Sequence, residues 1–145
     1  MKSIVPFRSA MAEIIISRAH LSQVITHCRA SYPNEACGIL SGTGNTVRNV
    51  YAMTNAEPSP VSYFMEPQEQ FRVMKAMREE GQRMVAIFHS HPHSPAYPSA
   101  KDVTLAFYSD AAYVIVSLAR ADAPEVRAFT IMEGEVKEIS VQAVD

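Results

Sequence analysis

The sequence predicts an α/β domain in which a mixed sheet is flanked by helices, and three observations predict it. Short apolar runs of strand length alternate with two amphipathic stretches of helical period. Turn signals at Gly42-Thr43-Gly44-Asn45 and around Gly134 join neighbouring runs as hairpins, so part of the sheet is antiparallel. The length, 145 residues, is that of one ordinary domain.

The elements follow in order. Residues 12–17 hold Ile14-Ile15-Ile16, a β-branched strand run, and Ser17 can cap what comes next. Leu21, Val24, Ile25 and Cys28 then recur at i, i+3, i+4 and i+7, an apolar helix stripe that Pro33-Asn34 ends. Residues 35–41 (EACGILS) read as a buried strand and residues 46–53 as its hairpin partner. Residues 55–60 form a loop broken by Pro58 and Pro60, and residues 61–65 read as a short strand that these prolines place at a sheet edge. Pro67 suits the first turn of a helix over residues 68–82, with Phe71, Met74 and Met77 on its apolar side. Residues 84–88 (MVAIF) are a central strand that runs into His89-Ser90-His91-Pro92. A proline-rich loop to Pro98 precedes a third helix over residues 99–108, and strands follow at 112–118, 126–132 and 135–141. The domain spans residues 11–145, behind a flexible arm at residues 1–10.

Composition removes several function classes. A net charge of −2 provides no polybasic surface, which excludes a nucleic-acid reader as the default. With 48% hydrophobic and 19% charged residues, the chain is not disordered. Two cysteines, Cys28 and Cys37, are too few for a disulfide scaffold and read as free thiols of a reducing, cytoplasmic compartment. No apolar run approaches the ~20 residues that span a membrane, and the N-terminal segment lacks the apolar core of a secretory signal.

The chemistry concentrates around His89. In a strand, residues i and i+2 face one side, so His89 and His91 present their imidazoles together. Two such imidazoles are a natural start for a zinc site. The loop after Pro92 is long enough to bring Asp102, in the first turn of the next helix, over them as a third ligand. Three protein ligands leave one tetrahedral position for water, the mark of a catalytic site. Glu35, at the start of an apolar strand, is the candidate base for that water, and Ser99 is a candidate donor to a developing oxyanion. Each element also has a plainer reading. Ser99-x-x-Asp102 has the spacing of a helix capping box. An isolated His-x-His can be buried structural histidine. Glu35 alone is a strand-entry residue, and Cys37 a small buried hydrophobe. His20 and His93 read as surface residues.

Taken in one order, Glu35, His89-Ser90-His91-Pro92, the run to Pro98 and Ser99-x-x-Asp102 resemble the JAMM metalloprotease motif of the MPN-type (JAB-domain) family. The resemblance covers nearly the whole chain. It implies a JAB/MPN-type domain with cytidine-deaminase-like layering, Zn²⁺ held by His89, His91 and Asp102, Glu35 as general base, and Ser99 steadying the tetrahedral intermediate. It implies hydrolysis of a peptide or isopeptide bond after the C-terminal glycine of a ubiquitin-like protein. The chain is too compact for the long insertions of the eukaryotic members, has no Trp, and carries Phe88 where those relatives often have Tyr. It looks like the short prokaryotic branch, whose partners are ubiquitin-like sulfur-carrier proteins with a Gly-Gly tail that is trimmed or freed of an adduct such as cysteine. A glycine tail offers mainly backbone, so residues 61–65 are the expected edge for strand addition. Two alternatives stand beside this reading: a metal-free scaffold of the same fold, and a peptidase of the same motif acting on other peptides.

Overall fold

Ten elements follow one another along residues 11–145, the part of the chain that the computed structural model describes. They are β1 (Glu13–Ser17), α1 (Arg18–Ser31), β2 (Cys37–Thr43), β3 (Thr46–Met53), α2 (Pro67–Glu79), β4 (Arg83–His91), α3 (Ala100–Thr104), β5 (Ala112–Ser117), β6 (Glu125–Met132) and β7 (Glu135–Val144). The expected mixed α/β architecture is present, while the arm expected at residues 1–10 lies outside the described residues. Ser17 caps α1 as expected, its hydroxyl accepting the His20 N–H at 3.0 Å. Pro67 opens α2, and the Glu66 side chain accepts the Glu69 N–H at 2.8 Å.

The strands lie in the order β1-β3-β2-β4-β5-β6-β7, and the sheet closes on itself. β1 closes it, pairing in parallel with β7 from Glu13↔Ser140 to Ser17↔Val144 and with β3 at Ile15↔Thr46. β4 is central, antiparallel to β2 and parallel to β5. Strand alternation sorts the core into two faces. Leu40, Phe88, Val114 and Val116 pack with Val24 and Cys28 of α1. Cys37, Ile39, Ile87 and Tyr113 pack with Met77 of α2 on the opposite face.

Three expectations need correction. Residues 61–65 are not an edge strand: the segment makes a single bridge, Asn55↔Met65, and the Ser62 carbonyl and Phe64 N–H bond the Asn55 side chain instead of a ladder. Pro58 and Pro60 carry no N–H, so a ladder has too few donors there. Phe71 does not join Met74 and Met77 in the core but is 70% exposed. Six residues along a helix rotate a side chain by about 600°, leaving Phe71 and Met77 about 120° apart. The third helix ends at Thr104, not Tyr108. Val103 and Thr104 are β-branched, and the Thr104 hydroxyl bonds back to the Ala100 carbonyl at 3.0 Å.

Candidate active site

The site grows out of the end of β4. His89 and His91 continue the face of Ile87, and Ser90 continues that of Phe88. Both histidines are buried, at 1% and 3% exposure. Pro92 ends the strand, and the loop that follows is pinned from three sides. The Ser117 hydroxyl donates to the Ser94 carbonyl at 2.6 Å, the Leu118 N–H donates to the His91 carbonyl at 3.0 Å, and His91 Nδ1 lies 2.8 Å from the Pro95 carbonyl oxygen. Held this way, the loop delivers the start of α3 above the imidazoles.

Both readings of Ser99-x-x-Asp102 hold at once. The Ser99 hydroxyl accepts the Asp102 N–H at 3.1 Å, and Asp102 Oδ2 accepts the Ser99 N–H at 2.9 Å, a complete capping box. The same Oδ2 faces both histidines, 3.2 Å from His89 Nε2 and 3.0 Å from His91 Nε2, and the two nitrogens are 3.2 Å apart. Ligand atoms about 2.0–2.1 Å from a tetrahedral ion stand roughly 3.3–3.4 Å from one another. The triangle therefore has the size of a metal site, and two imidazoles with one carboxylate are a donor set for a borderline divalent ion. The Pro95 carbonyl accepts a hydrogen bond from His91 Nδ1–H, so the neutral imidazole carries its lone pair on Nε2, the atom in the triangle.

Glu35 sits just before β2 and is 4% exposed. Its backbone is fixed on both sides: its N–H donates to the Ser59 carbonyl at 2.8 Å, and its carbonyl accepts from Asn55 Nδ2 at 3.1 Å. Ser90 locks the next peptide to β4. The Ala36 N–H donates to the Ser90 hydroxyl at 2.8 Å, and the Ser90 N–H donates to the Ala36 carbonyl at 3.1 Å. Glu35 Oε1 is buried with no hydrogen-bond partner. Replacing Ser90 with Ala leaves the buried Ala36 N–H without its acceptor, so stability is expected to fall by about 1–3 kcal/mol in urea denaturation.

The electrostatics follow from burial and charge. Burial pushes the Glu35 carboxyl up to about 8, with His91 offsetting part of the rise. Burial also opposes ionisation of Asp102, but hydrogen bonds from His89 and His91 outweigh it and hold the carboxyl well below the usual range. Burial lowers the His91 imidazole, yet its bonds to Asp102 and the Pro95 carbonyl carry it above its ordinary value. Cys28 and Cys37 are buried free thiols, each pushed up to about 12 by desolvation.

The model of the prokaryotic homologs of the JAB domain matches residues 17–132. The chain belongs to this family. Among JAB relatives, the CysO-cysteine peptidase of Mycobacterium tuberculosis is 38% identical over 141 residues, which span 95% of this chain and 97% of that one. The probable TtuB-protein conjugate cleaving protease of Thermus thermophilus is 32% identical over 123 residues, 84% of this chain and 78% of that one. A protein of Desulfitobacterium hafniense, solved in solution, superposes with a TM-score of 0.83 at 38% identity, covering 91% of this chain and 93% of the other.

His89, His91 and Asp102 converge, Ser99 belongs to the Asp102 capping box, and the next peptide after Glu35 is tied to Ser90, between the two histidines. Sequence reasoning missed Ser90, Asn55 and Tyr63. Ser90 carried a signal, since the residue between two same-face ligands must point into the opposite core. Asn55 and Tyr63 lie in a proline-broken loop whose polar bonds have no period. His93 is exposed as expected; His20 is half-buried.

Proposed function

We propose that this JAB-family hydrolase is a zinc peptidase. It cleaves the amide bond after the C-terminal Gly-Gly of a ubiquitin-like sulfur-carrier protein, releasing a carrier-bound amino acid such as cysteine or a longer tail. The observation that carries the reading is the convergence of His89 Nε2, His91 Nε2 and Asp102 Oδ2 within 3.2 Å of one another. The substrate class is supported by a relative named for releasing cysteine from CysO that aligns over 95% of this chain.

His89, His91 and Asp102 would hold the zinc. A zinc ion bound there would supply Lewis-acid polarisation of the scissile carbonyl and a lowered water pKa. Glu35 accepts the proton of the attacking water at Oε1, which has no competing hydrogen bond, and passes it to the leaving nitrogen. The Ser99 hydroxyl oxygen accepts from the Asp102 N–H, which leaves its own proton to donate to the oxyanion. The bonds of the Glu35 backbone with Ser59 and Asn55, and of the Ala36 backbone with Ser90, keep Glu35 in register with the two histidines. Among the described residues no helix is long and apolar enough to cross a membrane.

The test is mass spectrometry of a folded carrier–cysteine amide before and after incubation with the protein. The expected result is loss of one cysteine from the carrier, blocked by a chelator and restored by zinc. The folded carrier is expected to be cleaved much faster than its isolated tail peptide. Cleavage that ignores the chelator overturns the metal reading, and a tail peptide cleaved as fast as the carrier overturns the substrate class.

A further inference from the structure

The two histidines of the triangle are held in different ways. His91 has the usual support of a metal-ligating imidazole: its Nδ1 lies 2.8 Å from the Pro95 carbonyl, which fixes tautomer and ring plane. His89 has no such support, because its Nδ1 is buried and without a hydrogen-bond partner. The torsion that turns an imidazole plane has broad wells, so something else must set it. The Tyr63 ring lies against the His89 ring with centroids 4.8 Å apart and planes at 29°, a stacked arrangement. His91 approaches His89 edge-on at 5.0 Å and 61°. The His89 plane is thus confined between a tyrosine face and an imidazole edge.

Tyr63 is itself held from both sides by Asn55, whose side chain spends its whole bonding capacity on this loop and on Glu35. Asn55 Nδ2 donates to the Ser62 carbonyl at 3.2 Å, and Oδ1 accepts the Phe64 N–H at 2.9 Å, so the bonds flank Tyr63. The remaining Asn55 bonds go to the Glu35 carbonyl at 3.1 Å and from the Glu57 N–H at 3.1 Å. One asparagine therefore sets the position of the stacking ring and fixes the backbone of the carboxylate residue.

We infer that Tyr63 is a positioning residue for His89: its ring face fixes the imidazole plane in place of the hydrogen bond that Nδ1 lacks. The inference rests on the reading of His89 as a metal ligand. The ring face, not the hydroxyl, carries the effect, because the stack is face to face.

The experiment titrates metal-free protein with Co²⁺ and Zn²⁺, following the visible spectrum of the cobalt form. Tyr63→Phe is expected to bind within about twofold of the parent, and Tyr63→Leu about tenfold more weakly, at the lower end of losses seen when support of a metal ligand is removed. In the metal-free protein, the carbon-bound imidazole protons of His89 are expected to be shielded by the aromatic ring in the parent and in Tyr63→Phe. In Tyr63→Leu they shift downfield. Melting of the metal-free variants checks that the fold is kept, and Tyr63→Met replaces the Leu variant if that one does not fold. A leucine variant that binds as tightly as the parent overturns the inference, as does a phenylalanine variant as weak as the leucine one. A parent that takes up neither metal overturns the ligand reading itself, which is a different result from a parent that binds and a Tyr63 series that does not respond.

Discussion

Glu35→Gln is expected to lower hydrolysis of a carrier conjugate by about 10²–10⁴-fold while zinc content stays at the parent level. Gln keeps the shape of the carboxylate and the backbone bonds to Ser59 and Asn55, but its amide cannot take a proton from water. Turnover and elemental zinc on the same preparation check it. Undiminished hydrolysis removes Glu35 from the role of base. The same variant has a second signature in metal-free protein. The folded Glu35 carboxyl is raised from 4.5 to about 8, so the folded state binds more protons than the unfolded chain between those pH values. Stability is then greatest below the lower value and falls as the pH rises toward the upper one. Gln removes that slope. The variant is expected to be more stable than the parent by on the order of 4 kcal/mol at pH 8, with the gap closing near pH 4.5, since each tenfold change in proton affinity is worth about 1.36 kcal/mol.

Asp102→Asn and Asp102→Ala are expected to separate two jobs of one side chain. Asp102 Oδ2 both completes the capping box with Ser99 and faces the two imidazoles. Asn retains an oxygen for the Ser99 N–H but loses the anionic ligand, so the fold is kept while metal binding and turnover are lost. Ala also loses the acceptor of the Ser99 N–H while the Ser99 hydroxyl still accepts the N–H of residue 102, and denaturation of the metal-free protein is expected to show a further loss of about 0.5–1.5 kcal/mol. Retention of metal at parental affinity by the Asn variant contradicts the ligand assignment. Equal stability of the Asn and Ala variants contradicts the capping contribution.

Much of this molecule is legible one element at a time. Apolar runs mark β2, β4 and β5 because those strands are buried on both faces, and Ser17 and Pro67 mark two helix starts by local chemistry. His89 and His91 are legible because strand alternation alone puts them on one face. Asp102 required only a loop long enough to return. What was not legible depends on contacts between distant parts. Closure of the sheet needs Glu13 to meet Ser140, and no local pattern records that pairing. Residues 61–65 have strand-like composition, but Asn55 takes up the backbone groups around Tyr63 that a ladder would use. Phe71 follows the helical count closely enough to pass as inward-facing, yet drifts off the apolar stripe over two turns. Ser99-x-x-Asp102 was ambiguous for a different reason: capping and metal ligation use the same oxygen, so the letters could not choose between them.

The parallel seam between β1 and β7 has a bearing on how the protein is made. Within this domain β1 leaves the ribosome before its parallel partner, whose paired residues begin at Ser140. Until those are translated, β1 can rest only on α1 and on the start of β3, where Ile15 pairs with Thr46 and bonds the Asn45 carbonyl. The ring can therefore shut only after residues 140–144 have been made, at the entropic cost of closing a very long loop. Until then the nascent chain carries two unsatisfied borders, and this is the interval in which it most needs shielding from other chains.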